Sequence, residues 1–217
     1  MKQKDVFLQS EGDAWHERNH GAVDAFDYRR DPVAIAIAEL AATQFAGKPA
    51  PTLLEVGCGE AKRLQWLAQN TACVAAGLDP SARAIEGARA RGVNAVVGTA
   101  DVLPYPSASI DILLFGFCLC MCDREDLFRI SSEADRVLKA AAWLVIADFF
   151  APSPIEHAYR HREGVRTFKM DYRTLFSWHP RYECFSHRVF HHSEGGFTDD
   201  PQEWVALSVM RKLPAHG

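Results

Sequence analysis

A glycine-containing turn is the first segment of the chain that could bind a ligand. Gly57 and Gly59 directly follow an apolar run, where a strand would turn into a helix. In an open α/β sheet, ligands bind beyond the carboxyl ends of the strands, and glycine lets the backbone approach them closely. Lys62 stands where the dinucleotide fingerprint needs a third glycine, and Glu60 is a poor neighbour for a pyrophosphate. The turn therefore favours a nucleoside without phosphates, although tight turns of this kind are often purely structural.

Two carboxylates follow the next apolar segments. Asp79 comes twenty residues after Gly59 and is placed to accept hydrogen bonds from both hydroxyls of a ribose. Its alternative role is to cap the helix that begins near Pro80 and Ser81. Asp101 follows the third apolar segment, where a carboxylate could accept a hydrogen bond from an adenine amino group or could stabilise a turn.

The elements around these residues alternate between strand and helix patterns. Strands are predicted at Thr52–Val56, Cys73–Leu78, Val93–Val97, Ile110–Phe117 and Trp143–Phe149, and helices at Val33–Phe45, Ala61–Gln69, Ser81–Arg91 and Arg124–Lys139. Strands that are apolar throughout are buried on both faces, and alternating strands and helices form right-handed βαβ units. Tyr182–Phe190 and Trp204–Lys212 indicate a terminal antiparallel pair.

These patterns predict an α/β fold with one doubly wound, mostly parallel seven-stranded sheet, helices on both faces and a C-terminal antiparallel strand pair. We expect residues 1–217 to form a single domain. Within it, residues 1–47 form an N-terminal helical cap, 50–150 the cofactor-binding core, 151–181 a substrate-side insertion and 182–217 the terminal strand pair.

Composition narrows the function classes. A net charge of −4 and a pI of about 6.1 argue against a broad basic surface, so we expect no nucleic-acid partner. No apolar signal segment is visible at the N-terminus. The longest apolar run, Ile112–Cys122, is far shorter than the roughly 20 residues of a membrane-spanning helix. The six cysteines lie mostly in apolar runs, which is typical of reduced thiols in a cytoplasmic protein.

We predict no metal site. Cys118, Cys120 and Cys122 alternate without a CxxC pair, and His157 and His161 lack the glutamate of a zincin motif. The pair His191-His192 is interpreted as surface. The oligomeric state stays open.

Five motifs in order resemble those of class I S-adenosylmethionine (SAM)-dependent methyltransferases. They are Glu55-Val56-Gly57-Cys58-Gly59, Gly77-Leu78-Asp79-Pro80-Ser81, Asp101-Val102-Leu103-Pro104-Tyr105-Pro106, Ile110-Asp111-Ile112-Leu113-Leu114 and Glu133-Ala134-Asp135-Arg136-Val137-Leu138-Lys139. The likeness is to small bacterial members that act on small molecules, and it covers roughly residues 50 to 150. Outside that region, residues 10–19 resemble the N-terminal helix that such enzymes fold over the cofactor.

The resemblance implies that SAM is the cofactor and assigns a role to each matching position. Glu55, Gly57 and Gly59, with Cys58 between them, would hold the methionine part of the cofactor. Asp79 with Pro80 would hold the ribose, and Asp101 with Val102 would hold the adenine. Phe115 and Phe117 would line the space near the sulfonium, and Trp15 and Arg18 would contribute from the N-terminal helix. Trp15 could face the sulfonium by cation–π attraction, or could simply pack its helix.

Two positions depart from the family pattern. Ala61 stands where a third glycine is common, which would stiffen the turn slightly. Ala140-Ala141-Ala142 replaces the usual Pro-Gly-Gly turn before the fifth strand. If that turn keeps a positive φ, an alanine there costs about 1 kcal/mol. We expect a local adjustment without loss of cofactor binding.

Methyl transfer from a sulfonium is an in-line displacement that depends mainly on proximity and orientation. An acceptor hydroxyl or amine can also need a base. The candidates for this base follow the fifth strand or end it: Asp148, His157, Tyr159, His161, Lys169, Asp171 and Tyr172. Of these, His161, Tyr159 and Asp148 are predicted to be catalytic. If the segment after the fifth strand is helical, His157 and His161 share a face and Tyr159 lies on another side; a solvated polar helix is the alternative. The expected function is methyl transfer to an oxygen or nitrogen atom of a small-molecule acceptor. The alternatives are a non-catalytic SAM-binding module and a nicotinamide-dependent oxidoreductase.

Overall fold

The N-terminal part of the chain is helical. The computed structural model describes residues 2–24, 27–193 and 195–214. Helix α1 (Gln3–Val6) continues through a π-helical stretch, Phe7–Glu11, into α2 (Gly12–Asp24). Helix α3 (Pro32–Gln44) begins after Asp31, whose carboxylate accepts a hydrogen bond from the Val33 N–H group at 3.0 Å. Proline at the first helical position and an aspartate before it are the start signals that the sequence contains.

Strands and helices then alternate as predicted. Their bounds are β1 (Thr52–Val56), α4 (Lys62–Asn70), β2 (Val74–Asp79), α5 (Ala82–Ala90), β3 (Asn94–Val97), β4 (Ile110–Gly116), α6 (Leu127–Val137), β5 (Leu138–Phe149), β6 (Ile155–Ala158), β7 (Arg166–Lys169), β8 (Tyr182–His191) and β9 (Trp204–Lys212). Short 3₁₀ turns lie at 119–121, 124–126, 172–175 and 201–203.

The main sheet has the strand order β3-β2-β1-β4-β5-β9-β8. Strands β1 to β5 are parallel, and β9 lies antiparallel between β5 and the edge strand β8. This confirms the predicted doubly wound, mostly parallel seven-stranded sheet with a C-terminal antiparallel pair. Apolar side chains of α3, α4 and α5 pack on one face of the sheet, and those of α6 pack on the other.

The order reverses between β1 and β4, which start the two halves of the sheet. In doubly wound sheets the crevice beyond the carboxyl ends of the strands at such a point is the usual ligand site. The carboxyl ends of β1, β2, β3 and β4 lie at one edge of the sheet, and the loops that follow them contain the glycine turn, Pro80, Asp101 with Val102, and Phe117.

The predicted helix through Lys139 is too long, because α6 ends at Val137 and β5 begins at Leu138. Leu138 pairs with Ile110, and the register then shifts before Trp143 pairs with Ile112. The alanine triplet forms this bulge. Ala141 has φ 57°, so the positive φ expected for the replaced glycine turn is present.

The segment after β5 is not the helix considered for His157 and His161. Strands β6 and β7 form a separate antiparallel hairpin, and His157 lies in β6 opposite Thr167. Two prolines, Pro152 and Pro154, precede the hairpin and disfavour a helix there. Gly164 supplies a positive φ of 80° in the turn.

None of the helices in the described ranges is both long and apolar enough to cross a membrane. All six cysteines are free thiols. Cys184 is exposed on β8, whereas the other five are buried or half-buried, as their apolar surroundings predict.

Candidate functional site

The glycine turn after β1 is held tightly against the end of β4. Gly57 has φ 82°, and a Cβ atom there would lie 2.8 Å from both Cys118 Cβ and the Gly116 carbonyl oxygen. The N–H groups of Gly57 and Cys58 donate to the Leu78 carbonyl oxygen at 2.8 and 3.2 Å. This turn can therefore pass between β2 and β4 only with glycine at position 57.

The second half of the turn is open. Gly59 has φ 52°, and no heavy atom lies within 4 Å of the position a Cβ would take. Cys58 is buried beneath the turn, and desolvation raises the pKa of its thiol, so it stays protonated at neutral pH. Ala61 is buried and adopts a left-handed conformation with φ 56° at the start of α4. The alanine that stands in place of the third glycine therefore carries the strain of a left-handed conformation.

Glu55 belongs to a buried charge network. Its Oε1 atom pairs with Arg63 of α4, and Arg63 Nε also donates to Asp31 at 2.6 Å. Glu55 and Asp31 are 1% and 3% exposed. Desolvation raises the pKa of Glu55, whereas Arg63 lowers it. Among the described residues, no group forms a hydrogen bond with Glu55 Oε2.

Asp79, at the end of β2, connects two turns. One carboxylate oxygen accepts from the Gly59 N–H group at 2.9 Å, and the other accepts from Ser81 N–H at 2.9 Å. The helix cap itself is Ser81, whose hydroxyl oxygen accepts from Ala84 N–H at 3.0 Å. Burial raises the pKa of Asp79, opposed by these two backbone donors. The cap of the helix is therefore Ser81 and not Asp79, whereas Asp79 ties the two turns together and places its carboxylate beside the glycine turn. Its role in binding a ribose stays a prediction.

Asp101 is buried and already has two partners. Its Oδ1 atom accepts from the Thr99 hydroxyl at 2.7 Å, and its Oδ2 atom pairs with the Lys4 ammonium group. Lys4 also lies 3.1 Å from Asp126 Oδ2. Hydrogen bonds from Lys4 and Thr99 lower the pKa of Asp101 despite its burial, so it is ionised at neutral pH. The neighbouring Val102 is 53% exposed, which leaves an apolar surface beside the carboxylate.

The N-terminal helices cover the end of β2. Gly12 packs against Pro80 and Ser81 so closely that an added Cβ would lie 3.1 Å from Ser81 N and 3.2 Å from the Pro80 carbonyl carbon. Asp13 accepts from the Ser81 hydroxyl at 2.7 Å, and His16 Nε2 lies 3.1 Å from a Glu60 oxygen. The segment that resembles a cofactor-covering helix thus lies next to the glycine loop and Asp79.

Arg18 and Tyr159, predicted separately, are brought together. Arg18 Nη2 donates to Tyr159 Oη at 2.8 Å and to Glu11 Oε1 at 2.5 Å, and Tyr159 Oη lies 3.2 Å from the same glutamate oxygen. Tyr159 is half-buried and also packs near Phe7, with ring centroids 6.5 Å apart. These contacts join the β6–β7 hairpin to the N-terminal helices. Trp15 is 41% exposed on the same helix.

His161 and Asp148 occupy very different environments. His161 is exposed after β6, with Arg160 Nε 2.9 Å from its Nε2 atom and the Tyr159 ring 5.3 Å away. Asp148 is 2% exposed and accepts from the N–H groups of Leu119, Cys120 and Phe149 at 2.8, 3.2 and 2.8 Å. Burial raises the pKa of Asp148 to about 6. Its hydrogen bonds hold the turn after β4.

The two candidate phenylalanines, Phe115 at the end of β4 and Phe117 just after it, lie on opposite faces of the sheet. Phe115 is fully buried within the core on the α6 face. Phe117 has φ 54° and directs its ring to the opposite face, where it lies 5.9 Å from both Phe149 and His192. Phe149 and His192 are 5.0 Å apart. The sequence interpretation of His192 as a surface residue agrees with its exposure but did not include this aromatic contact.

Two further residues at the site, Arg63 and Lys4, were not singled out in the sequence, yet each pairs with a predicted site carboxylate. Lys169 lies 5.4 Å from the Phe149 ring centre. In the described ranges, no group of three or more His, Cys, Asp or Glu side chains is placed to hold a metal ion.

One known protein family matches the stretch of the chain that contains these residues. Residues 54–146, which contain Glu55, the glycine turn, Asp79 and Asp101, match the family model described as a methyltransferase domain. The match to a methyltransferase domain covers somewhat less than half of the chain. The resemblance drawn from the five sequence motifs is thereby confirmed. No sequence among the curated proteins matches the chain significantly.

Solved structures share the methyltransferase fold. A SAM-dependent methyltransferase from Methanosarcina mazei aligns with TM-score 0.63 and 18% identity over 77% of this chain and 94% of that chain. The chain bound to a methyltransferase activator in a complex from Haloferax volcanii aligns with TM-score 0.68 and 18% identity over 97% and 99%. The 1,6-didemethyltoxoflavin-N1-methyltransferase of Burkholderia thailandensis aligns with TM-score 0.69 and 12% identity over 96% and 88%.

Proposed function

We propose that this protein transfers the methyl group of SAM to an oxygen or nitrogen atom of a small-molecule acceptor. The observation that carries the proposal is the arrangement of the glycine turn, Glu55 and Asp79 at the carboxyl ends of β1 and β2, within the stretch that matches the methyltransferase family. SAM would supply an electrophilic methyl group attached to a sulfonium.

The residues present fit this cofactor. Glu55 Oε2 is buried without a hydrogen-bond partner among the described residues, and an ammonium group is the partner that would satisfy it. The space beside Gly59 is open, and Asp79 presents a carboxylate there. Glu55, Gly57 and Gly59, with Cys58 below, would hold the methionine part, and Asp79 with Pro80 would hold the ribose. Asp101 and Val102 would receive the adenine.

The main contribution of the chain to methyl transfer would be to position the cofactor and the acceptor and to exclude water from them. Helix α2, through Gly12 and Asp13, would cover the ribose side, and the Arg18–Tyr159 contact would close the wall between helix and hairpin. Trp15 remains a candidate for a contact with the sulfonium. Among the proposed acceptor-side residues, Tyr159 lies within this wall and His161 at its exposed margin. Asp148 would act by holding the turn that positions Phe117 and Cys118.

Two structural neighbours with bound small molecules support a small acceptor. The Burkholderia enzyme was solved with 1,6-didemethyltoxoflavin and S-adenosylhomocysteine, and a Streptomyces coelicolor C-methyltransferase of similar fold was solved with geranyl diphosphate. The net charge of −4 favours neither nucleic acid nor another polyanion as substrate. The free thiols favour a cytoplasmic location.

Calorimetric titration with S-adenosylhomocysteine tests the cofactor assignment. Asp79→Ala removes two charge-assisted hydrogen bonds to ribose hydroxyls, so we expect affinity to fall on the order of 100-fold. Asp27→Ala, which breaks a surface pair with Arg29, is the matched control and should bind like the unaltered protein. Thermal unfolding of both variants verifies that they are folded.

Absence of S-adenosylhomocysteine binding by the unaltered protein would contradict the proposal. Binding of NAD instead would favour the oxidoreductase alternative. Adenosyl-ligand binding without turnover of any acceptor in a broad small-molecule screen would favour the non-catalytic module.

A further inference from the structure

We propose that Phe117, Phe149 and His192 form the binding site for a planar aromatic acceptor that carries an ionisable O–H or N–H group, and that the His192 imidazole accepts the proton of that group. This acceptor site rests on the proposed methyltransferase function and names the substrate class for it. Tyr159 and His161 would then shape the wall of the site, and the base would come from the β8–β9 loop.

The three rings lie where an acceptor has to meet the methyl group. Gly116 and Cys118, on either side of Phe117, are the two residues that contact the Gly57 position. Phe117 therefore directly adjoins the turn proposed to hold the methionine part of the cofactor. Its N–H group donates to the Ala147 carbonyl oxygen at 2.8 Å, which fixes it beside the end of β5.

The rings form a continuous aromatic surface. Phe117 meets Phe149 edge-on, with an interplanar angle of 72°, and meets His192 at 65°. Phe149 and His192 are tilted by 44°. His192 is exposed and both phenylalanines are half-buried, so the surface is open to a ligand. Edge-to-face and offset contacts with a planar ring are the interactions such a surface offers.

Two separate parts of the fold hold His192 at this place. Its N–H group donates to the Glu203 carbonyl oxygen at 2.9 Å, which continues the β8–β9 pairing. On the other side, Lys169 of β7 donates to the Gln202 carbonyl oxygen and lies 5.4 Å from the Phe149 ring centre. The hairpin and the β8–β9 loop thus meet over the end of β5.

The charges around His192 suit an acceptor that loses a proton. Glu203, His191 and Lys169 are the titratable neighbours that act on it. The adjacent phenyl rings remove part of its water, which lowers the pKa of His192, so the imidazole is neutral at pH 7 and able to accept a proton. The Lys169 ammonium group lies 5.4 Å from the centre of the Phe149 ring. It would stabilise the negative charge that develops on the acceptor.

Transfer of the methyl group from SAM to the acceptor needs no third reactant. The acceptor O–H or N–H bond breaks, and its proton moves to His192. The freed electron pair forms the bond to the methyl carbon, while the carbon–sulfur bond breaks and its electrons stay on sulfur. His192 then returns the proton to water.

The test uses 4-nitrophenol as the aromatic probe and cyclohexanol as the non-aromatic control. Each is titrated into the full chain labelled at histidine, with and without saturating S-adenosylhomocysteine, while the imidazole resonances are followed by NMR. His192→Gln identifies the His192 signal. We expect 4-nitrophenol, but not cyclohexanol, to shift that signal. Phe149→Ala and His192→Ala should each weaken probe binding about fivefold, without changing the affinity for S-adenosylhomocysteine.

Two controls show that the effect belongs to this site. His187→Ala removes a half-buried histidine of β8 that hydrogen-bonds Ser208, and Phe128→Ala removes an exposed ring on α6. Both should bind the probe like the unaltered protein. If S-adenosylhomocysteine binds but the probe leaves the His192 signal unmoved, or if the two site variants bind the probe normally, the acceptor site is wrong. If S-adenosylhomocysteine does not bind at all, the proposed function fails and this site fails with it.

Discussion

Among the described residues, Arg63 is the only charged side chain that pairs with both Glu55 and Asp31. Replacing it by methionine removes the charge and keeps much of the side-chain volume. Both carboxylates are almost fully buried, and Arg63 contacts each of them directly. Removing one partner of a buried ion pair costs about 3–5 kcal/mol, because the remaining charge stays buried without compensation. We therefore expect Arg63→Met to lower the free energy of unfolding by about 4 kcal/mol at pH 7. For a domain of this size, that corresponds to a decrease of roughly 8–16 °C in Tm.

The pH dependence of this loss identifies its cause. Burial already raises the pKa of Glu55, and loss of Arg63 removes the main influence that lowers it. In the variant, the folded state therefore binds a proton at a higher pH than the unfolded chain does. The destabilisation is largest above the folded-state pKa and shrinks as the pH falls through it. Adding Glu55→Gln to Arg63→Met should restore about 2 kcal/mol at pH 7 by removing one of the two unpaired charges.

Urea unfolding followed by circular dichroism at pH 7.5 and pH 5 measures both effects. Arg29→Met is the control, because its pair with Asp27 is exposed and should contribute less than about 1 kcal/mol. The argument is refuted if Arg63→Met costs no more than Arg29→Met. It is equally refuted if the double variant is no more stable than Arg63→Met alone.

Three other changes test separate parts of the fold. Gly57→Ala should lower the free energy of unfolding by several kcal/mol, because the added Cβ would overlap Cys118 and Gly116. Gly59→Ala should lower it by only about 1 kcal/mol, because the space there is open. Equal losses for the two variants in urea unfolding would contradict this. Ala141→Gly should raise the free energy of unfolding by roughly 1 kcal/mol, because glycine adopts φ 57° without strain. Ala140→Gly, at an extended position, should lower it. If Ala141→Gly is destabilised, Ala141 is not strained. Asp148 has a folded-state pKa of about 6, above its unfolded value, so it makes stability fall as the pH rises from about 4 to about 6. Asp148→Asn should flatten that part of the stability curve, and an unchanged slope would exclude Asp148 as its source.

Local sequence was sufficient to predict the sheet and the meeting of the glycine turn with Asp79 at one edge of it. Strands buried on both faces must be apolar throughout, and βαβ links are right-handed, so the order of elements constrains the topology. Residues that directly follow parallel strands necessarily gather at one edge. Gly57 and Asp79 could therefore be placed together from the sequence, and the Asp79 carboxylate indeed contacts the glycine turn. A positive φ in the alanine turn was considered because of the family resemblance, and the structure has it at Ala141.

The segment after β5 shows where local patterns were insufficient. A helix was considered for His157 and His161, but prolines before the segment and a glycine within it favour the β6–β7 hairpin. Spacing along a chain predicts which side chains share a face only when the element type is right. Here the wrong element gave the wrong geometry.

The acceptor side of the site depends on contacts between distant segments. Arg18 meets Tyr159 because the N-terminal helices pack against the hairpin, and His192 meets Phe149 because β8 and β9 extend the sheet beyond β5. Periodicity and propensity determine elements and the ends of strands, since both arise from interactions between near neighbours. Which loops meet above those ends is decided only by the packing of the whole chain. The sequence by itself therefore determined the fold and the edge at which the glycine turn and Asp79 meet, whereas the tertiary structure decided which side chains of the N-terminal helices, the hairpin and the β8–β9 loop come together beside that edge.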